Sequence, residues 1–82
     1  MQTLTFTYDG HDYHIMNADD GQATPHHGDT VRDATGMEVC YVTHDGEYWV
    51  AEDCTGPGYS TVHENEPDAA WVVVKSCIAG QY

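Results

Sequence analysis

Two Asp-Gly pairs, Asp9-Gly10 and Asp45-Gly46, constrain this chain more than any other feature. Each stands between runs of β-branched and aromatic residues, and Asp-Gly in that setting is the strongest short-range signal for a tight hairpin. Ahead of the first pair, Thr3-Leu4-Thr5-Phe6-Thr7-Tyr8 alternates polar and apolar with the period of a half-buried strand, and Asp12 to Met16 returns beside it. Whether the loop holds two residues or four, Leu4, Phe6 and Tyr8 share a face with Tyr13 and Ile15, and the threonines face the other way.

The second hairpin is expected from Glu38 to Asp53. A two-residue turn at Asp45-Gly46 sets His44 against Glu47, Val42 against Trp49 and Cys40 against Ala51. Val39, Tyr41, Tyr48 and Val50 occupy its other face. Bulky apolar groups on both faces predict a central hairpin covered on each side. In this register Cys54 lies on the opposite face from Cys40, so a disulfide between them needs a bend in the strand.

Further along, Cys54 to Gly58 is a turn cluster, Tyr59 to Glu64 reads as a strand, and Glu66-Pro67-Asp68 breaks it. The continuous apolar run Ala70 to Ile78 reads as a buried strand. Asn17 to Gly36 is long for an ordinary connection; it holds a short strand or a helical turn near Thr30 to Ala34, with Asp29 as N-cap, or it is a functional loop. The expected fold is all-β: five or six mainly antiparallel strands in a meander or small curled barrel, with at most one short helical turn. At 82 residues the chain is one acidic β domain, residues 1–82.

Charge bounds function. Fourteen Asp and Glu face only Arg32 and Lys75, for a net −12, which excludes gripping phosphates through a Lys/Arg surface. Direct nucleic-acid binding is therefore not expected. The start Met1-Gln2-Thr3 lacks a signal-peptide pattern and the longest apolar run, Ala69 to Val74, is too short to span a bilayer. Three cysteines, Cys40, Cys54 and Cys77, are an odd number for a secreted disulfide scaffold. The expected compartment is the cytoplasm, that of the host if the chain is viral.

Chemistry finds little purchase. The cysteines stand 14 and 23 residues apart, unlike zinc-finger pairs, and His11 and His14 fall on opposite faces of their strand. Asn17-Ala18-Asp19-Asp20-Gly21 begins like a calcium loop, but His27 occupies the position of its last carboxylate. No metal or cofactor is expected. Ser60 and Ser76 lie in no nucleophile elbow, Cys40 and Cys77 read as small core residues, and a chain this short has little room for a catalytic cleft beside its core. A non-enzymatic role is expected.

The acids cluster at Asp19-Asp20, at Glu52-Asp53, and at Glu64, Glu66 and Asp68 on alternate positions. Alternate residues of an extended chain point to one side about 6.6 Å apart, inside the roughly 8 Å Debye length, so their fields add into an anionic stripe. Such a stripe has the charge density of a nucleic-acid backbone and attracts a surface built to bind phosphates. Tyr8, Trp49, Tyr59 and Trp71 are candidate aromatic anchors beside it. In size, acidity and scarcity of Lys and Arg the chain resembles phage-encoded inhibitors of restriction or CRISPR effectors, a likeness of composition without a shared motif.

The expected partner is thus a basic protein, a nucleic-acid-binding effector inhibited by electrostatic mimicry. The expected contact residues are Glu52, Asp53, Glu64, Glu66 and Asp68, with Asp19 and Asp20 as a second patch. The alternative is a halophile-adapted chain, or a viral structural or assembly subunit, whose acidity serves solubility. Asp outnumbers Glu nine to five, as salt adaptation favours.

Overall fold

The computed structural model describes residues 2–55 and 60–80. Six strands precede one helix: β1 (Gln2–Tyr8), β2 (His11–Ala18), β3 (Thr30–Asp33), β4 (Glu38–His44), β5 (Tyr48–Asp53), β6 (Ser60–Glu64) and α1 (Ala69–Ala79). Each strand pairs antiparallel with the next, so the sheet is a meander in chain order with β1 and β6 at its edges. The sheet is curled and does not close into a barrel.

The first hairpin has the expected register, Tyr8 opposite His11, Phe6 opposite Tyr13 and Leu4 opposite Ile15. Asp9 and Gly10 carry φ of 51° and 77°. Positive φ at both central residues is the condition of a type I′ turn, whose twist matches that of the flanking strands. The phenyl and phenol rings of Phe6 and Tyr13 stack at 5.5 Å across the pair.

In the second hairpin the register differs from expectation by two residues: His44 lies opposite Trp49, Val42 opposite Ala51 and Cys40 opposite Asp53. The cause is the Asp45 carboxylate, which accepts from the backbone N–H of Glu47 and Tyr48 at 2.9 and 2.8 Å. Asp45 therefore precedes the turn, and Gly46, at φ 97°, enters it. A slip of two keeps every side chain on its face. Between β3 and β4 the pairing jumps from Val31–Cys40 to Arg32–Glu38, leaving Val39 as a bulge residue. Consecutive Val39 and Cys40 are both buried there, which strict alternation forbids.

The long connection resolves into β3, the short strand of the two local options, and a loop knotted by Gln22 and Asp29. Gln22 Oε1 accepts from the Asp19 N–H, and its amide nitrogen donates to the Thr24 carbonyl and to the Asp29 carboxylate. Asp29 also accepts from the His26 N–H at 2.7 Å, so it closes a turn and caps no helix.

The final element corrects the sequence reading: residues 69–79 form a three-turn helix, not a strand. Its buried residues, Ala69, Ala70, Val73, Val74, Cys77 and Ile78, recur with the helical period. Trp71 and Val72 fill the other face with apolar groups and so conceal that period. The helix lies on β4, β5 and β6, and Thr61 Oγ1 donates to the Val73 carbonyl at 2.8 Å. On its other flank the Trp71 ring meets Phe6 edge-on at 4.8 Å, which draws β1 toward the helix and curls the sheet.

Among the described residues only one sheet face is therefore covered, a second correction. Trp49, Ala51, Val42, Cys40, Tyr13 and Ile15 face the helix side and build the core. Tyr41 and Tyr48, expected to be covered, are 38% and 41% exposed on the opposite face. One helix supplies one layer, so this is a two-layer domain with a bare sheet surface.

Candidate functional site

That bare surface takes its chemistry from strand register. Tyr41 lies directly opposite Glu52, and Tyr48 directly opposite Glu64. Val50 and Val62 face each other between these pairs, and Val62 is 59% exposed. Side chains opposite each other on antiparallel strands stand about 5 Å apart. The patch thus couples two phenol rings, each beside a carboxylate, with a valine pair at its centre.

The expected contact residues separate. Glu52 and Glu64 belong to the patch. Asp53 points to the helix side, only 8% exposed, and its carboxylate accepts from the Thr55 N–H and hydroxyl, both at 2.8 Å. Alternation along β5 forbids Glu52 and Asp53 from sharing a face. The expected stripe through Glu64, Glu66 and Asp68 does not form, because the strand ends at Glu64 and the chain turns into the helix. Glu66 sits 3.9 Å from His63 Nε2 and its carbonyl accepts from Ala69 N–H. Asp68 is the N-cap residue of α1, with no side-chain capping bond. Pro67 has no N–H for a strand ladder, and Asp68 after it stands at the capping position, so the chain leaves the sheet here.

Asp19 and Asp20 lie in the turn after β2, where the Asp19 carboxylate is 4.0 Å from His26 Nδ1. Because neighbouring strands run antiparallel, β2, β4 and β6 all finish at one end of the sheet. Asp19 and Asp20 therefore share that end with Asp45, Glu47, Glu64 and Glu66. The β2 and β6 termini are four strand spacings apart, roughly 19 Å along the sheet, so they make two acidic groups and not one. Asp45 and Glu47 are absent from the expected set. Their signal was the turn itself, which places both carboxylates beside the end of β6 once β5 and β6 pair.

The expected anchors also change. Trp49 stacks on the His44 ring at 4.3 Å and donates from Nε1 to Asn65 Oδ1. Trp71 is engaged by Phe6 and by Lys75, whose ammonium stands 5.6 Å from the ring centroid. Tyr8 is half-buried against the core, and Tyr59 lies outside the described residues. Among the described residues Tyr41 and Tyr48 are the exposed rings.

Positive charge does little to offset the acids. The Arg32 guanidinium donates to the Gly36 carbonyl at 2.9 Å and to Glu38 at 3.0 Å, and Lys75 lies over Trp71. The anionic field of the patch and of the adjoining sheet end is left uncompensated.

Among the described residues no set of three His, Cys, Asp or Glu is placed to hold a metal ion. Cys40 and Cys77 are fully buried, and the Cys77 side chain hydrogen-bonded to it, together with burial, pushes the Cys40 thiol well above its ordinary range. Burial and then Glu38 also raise Cys54. Thiols held protonated are poor nucleophiles. No described helix is long and apolar enough to cross a membrane.

Two turn carboxylates give the fold a pH dependence. Asp33 accepts from the Thr35 hydroxyl at 2.6 Å and from the Thr35 and Met37 N–H groups, and these bonds hold it below its ordinary 3.8. The Glu47 and Tyr48 N–H groups do the same for Asp45. Both carboxyls are more acidic folded than unfolded, so the stability they add is complete above pH 3.8 and is lost as pH falls below it. Asp33→Asn with Asp45→Asn keeps an acceptor at each turn without a titrating group. Urea unfolding of this double variant should lose less stability on acidification than the parent; equal losses would place the acid sensitivity elsewhere.

Compared with known protein families, with curated proteins and with solved structures, the chain matches none.

Proposed function

We propose that this chain is a non-enzymatic acidic binding protein that occupies the basic, nucleic-acid-binding surface of a partner protein and blocks it. The supporting observation is the bare sheet face on which Tyr41 pairs with Glu52 and Tyr48 with Glu64. A guanidinium engages both partners at once, its N–H fork donating to the carboxylate and its plane resting on the ring. Surfaces that bind nucleic acid present arginines to phosphates and bases, and this patch offers them the same two chemistries in protein form. The net charge of −12 steers such a partner from a distance and makes association fast and salt-sensitive. A phage-encoded inhibitor of a restriction or CRISPR effector is the kind of protein this description fits.

The partner is to be captured from host lysate at low salt and then titrated with duplex DNA or RNA. Competition between this chain and the nucleic acid for the captured protein is the expected result, and simultaneous binding of both sinks the blocking role. Glu52→Gln with Glu64→Gln should weaken the complex by more than about 1 kcal/mol and leave the far-ultraviolet circular dichroism unchanged. Unaltered affinity in that variant removes the patch from the interface.

A further inference from the structure

Among the described residues β1 is an edge strand without the usual protection. Exposed sheet edges are normally blunted by charge, by proline, by brevity or by a covering element. β1 runs seven residues, Gln2 to Tyr8, with no proline, and among the described strands it alone has no Asp, Glu, Lys or Arg. The other edge, β6, is five residues long and ends on Glu64. The one irregularity of β1 is confined to its start, where the register shifts between Gln2 and Leu4.

The direction of the backbone groups follows from the turn. With Asp9-Gly10 as a two-residue loop, Tyr8 and His11 are a hydrogen-bonded pair, so Phe6 and Leu4 also direct their N–H and C=O toward β2. Thr7 and Thr5 direct theirs outward, and both side chains are exposed. On the bare sheet face a second copy would bring the carboxylates of Glu52 and Glu64 toward their counterparts. Along β1 the nearest charges are Asp9, which follows Tyr8 in the turn, Asp12, whose carboxylate accepts from the Thr7 hydroxyl at 3.0 Å, and Lys75, beside the Trp71 ring that meets Phe6.

We propose that β1 is a self-association edge, through which two copies pair antiparallel about a two-fold axis at Thr5. The strand is complementary to itself in this arrangement. Thr5 meets the partner's Thr5 and Thr3 meets the partner's Thr7 on one face, while Leu4 meets the partner's Phe6 on the other. The two sheets become one. This pairing does not depend on the binding role proposed above, and salt separates the two: screening weakens attraction to a basic partner but relieves repulsion between two copies of −12.

The test is sedimentation velocity of the full chain over rising concentration at about 0.05 M and about 0.5 M NaCl, which lie on either side of an 8 Å Debye length. The expected result is a reversible dimer that strengthens with salt, with amide exchange at Thr5 and Thr7 slowed by concentration while Phe6 is unchanged. Thr5→Glu should raise the dissociation constant at least about tenfold by setting like charges opposite. Thr5→Pro, which deletes an outward N–H that the monomer does not need, should do the same. A chain that stays monomeric at about 1 mM in high salt, about a thousandfold above a dissociation constant of about 1 μM, overturns the proposal. A dimer that persists in Thr5→Glu overturns it equally, and that variant decides the matter should Thr5→Pro fail to fold.

Discussion

Ile78→Ala is expected to remove about 2–5 kcal/mol of folding stability, the range for emptying a fully buried isoleucine site. Ile78 is 0% exposed and belongs with Val73, Val74 and Cys77 to the helix stripe that seals the sheet. Alanine is the better helix former, so any loss reports packing and not helix propensity. A domain of 82 residues holds roughly 4–12 kcal/mol in total at about 0.05–0.15 kcal/mol per residue. The substitution should therefore lower Tm by at least about 8 °C, at about 4–8 °C per kcal/mol. Val72, 39% exposed on the outer side of the same helix, provides the control. Val72→Ala should stay within about 0.5 kcal/mol of the parent. Equal losses from the two substitutions would mean that the buried face of α1 is wrongly assigned.

Stability should also rise with salt, by more than about 1 kcal/mol, or about 4–8 °C in Tm, between about 0.01 M and about 0.5 M NaCl. Fourteen carboxylates meet two cations, of which Arg32 is committed to Glu38 and Lys75 to Trp71. At the sheet end where β4 and β6 finish, Asp45, Glu47, Glu64 and Glu66 sit on or beside neighbouring strands. Strands about 4.8 Å apart keep these groups within one Debye length at physiological salt. An unchanged melting midpoint would show the carboxylates too dispersed to share a field, and the charge-based binding role would fall with it. The same titration tests salt adaptation: a halophilic chain loses its native circular dichroism below about 0.1 M through unscreened repulsion, whereas the binding role requires a native spectrum there.

The acids show why the functional surface was only partly legible. Glu52 and Glu64 were readable as exposed because each stands on an alternating strand. Asp53, the neighbour of Glu52, was misplaced by counting adjacent charges as one patch when a strand sends them to opposite sides. Glu66 and Asp68 were misplaced by continuing the strand through Pro67 into what is a helix start. The cues for that helix were present in Asp68 before it, Gly80 after it, and the polar pair Lys75-Ser76 falling on the same side as Trp71 and Val72. A valine-rich run favours a strand locally, and packing against β4, β5 and β6 overrides that preference.

By itself the amino-acid order determined the two Asp-Gly hairpins, the face of the residues on them apart from the bulged Val39, the uncharged first strand and the acidity, since each follows from neighbours in the chain and the period of a strand. Tertiary structure alone decided that the last apolar run winds into a helix, that this helix covers one sheet face and leaves Tyr41 and Tyr48 bare, and which carboxylates gather at one end. Those outcomes turn on contacts between residues far apart in the chain, where burial of a whole face outweighs the few tenths of a kcal/mol per residue that local preference supplies.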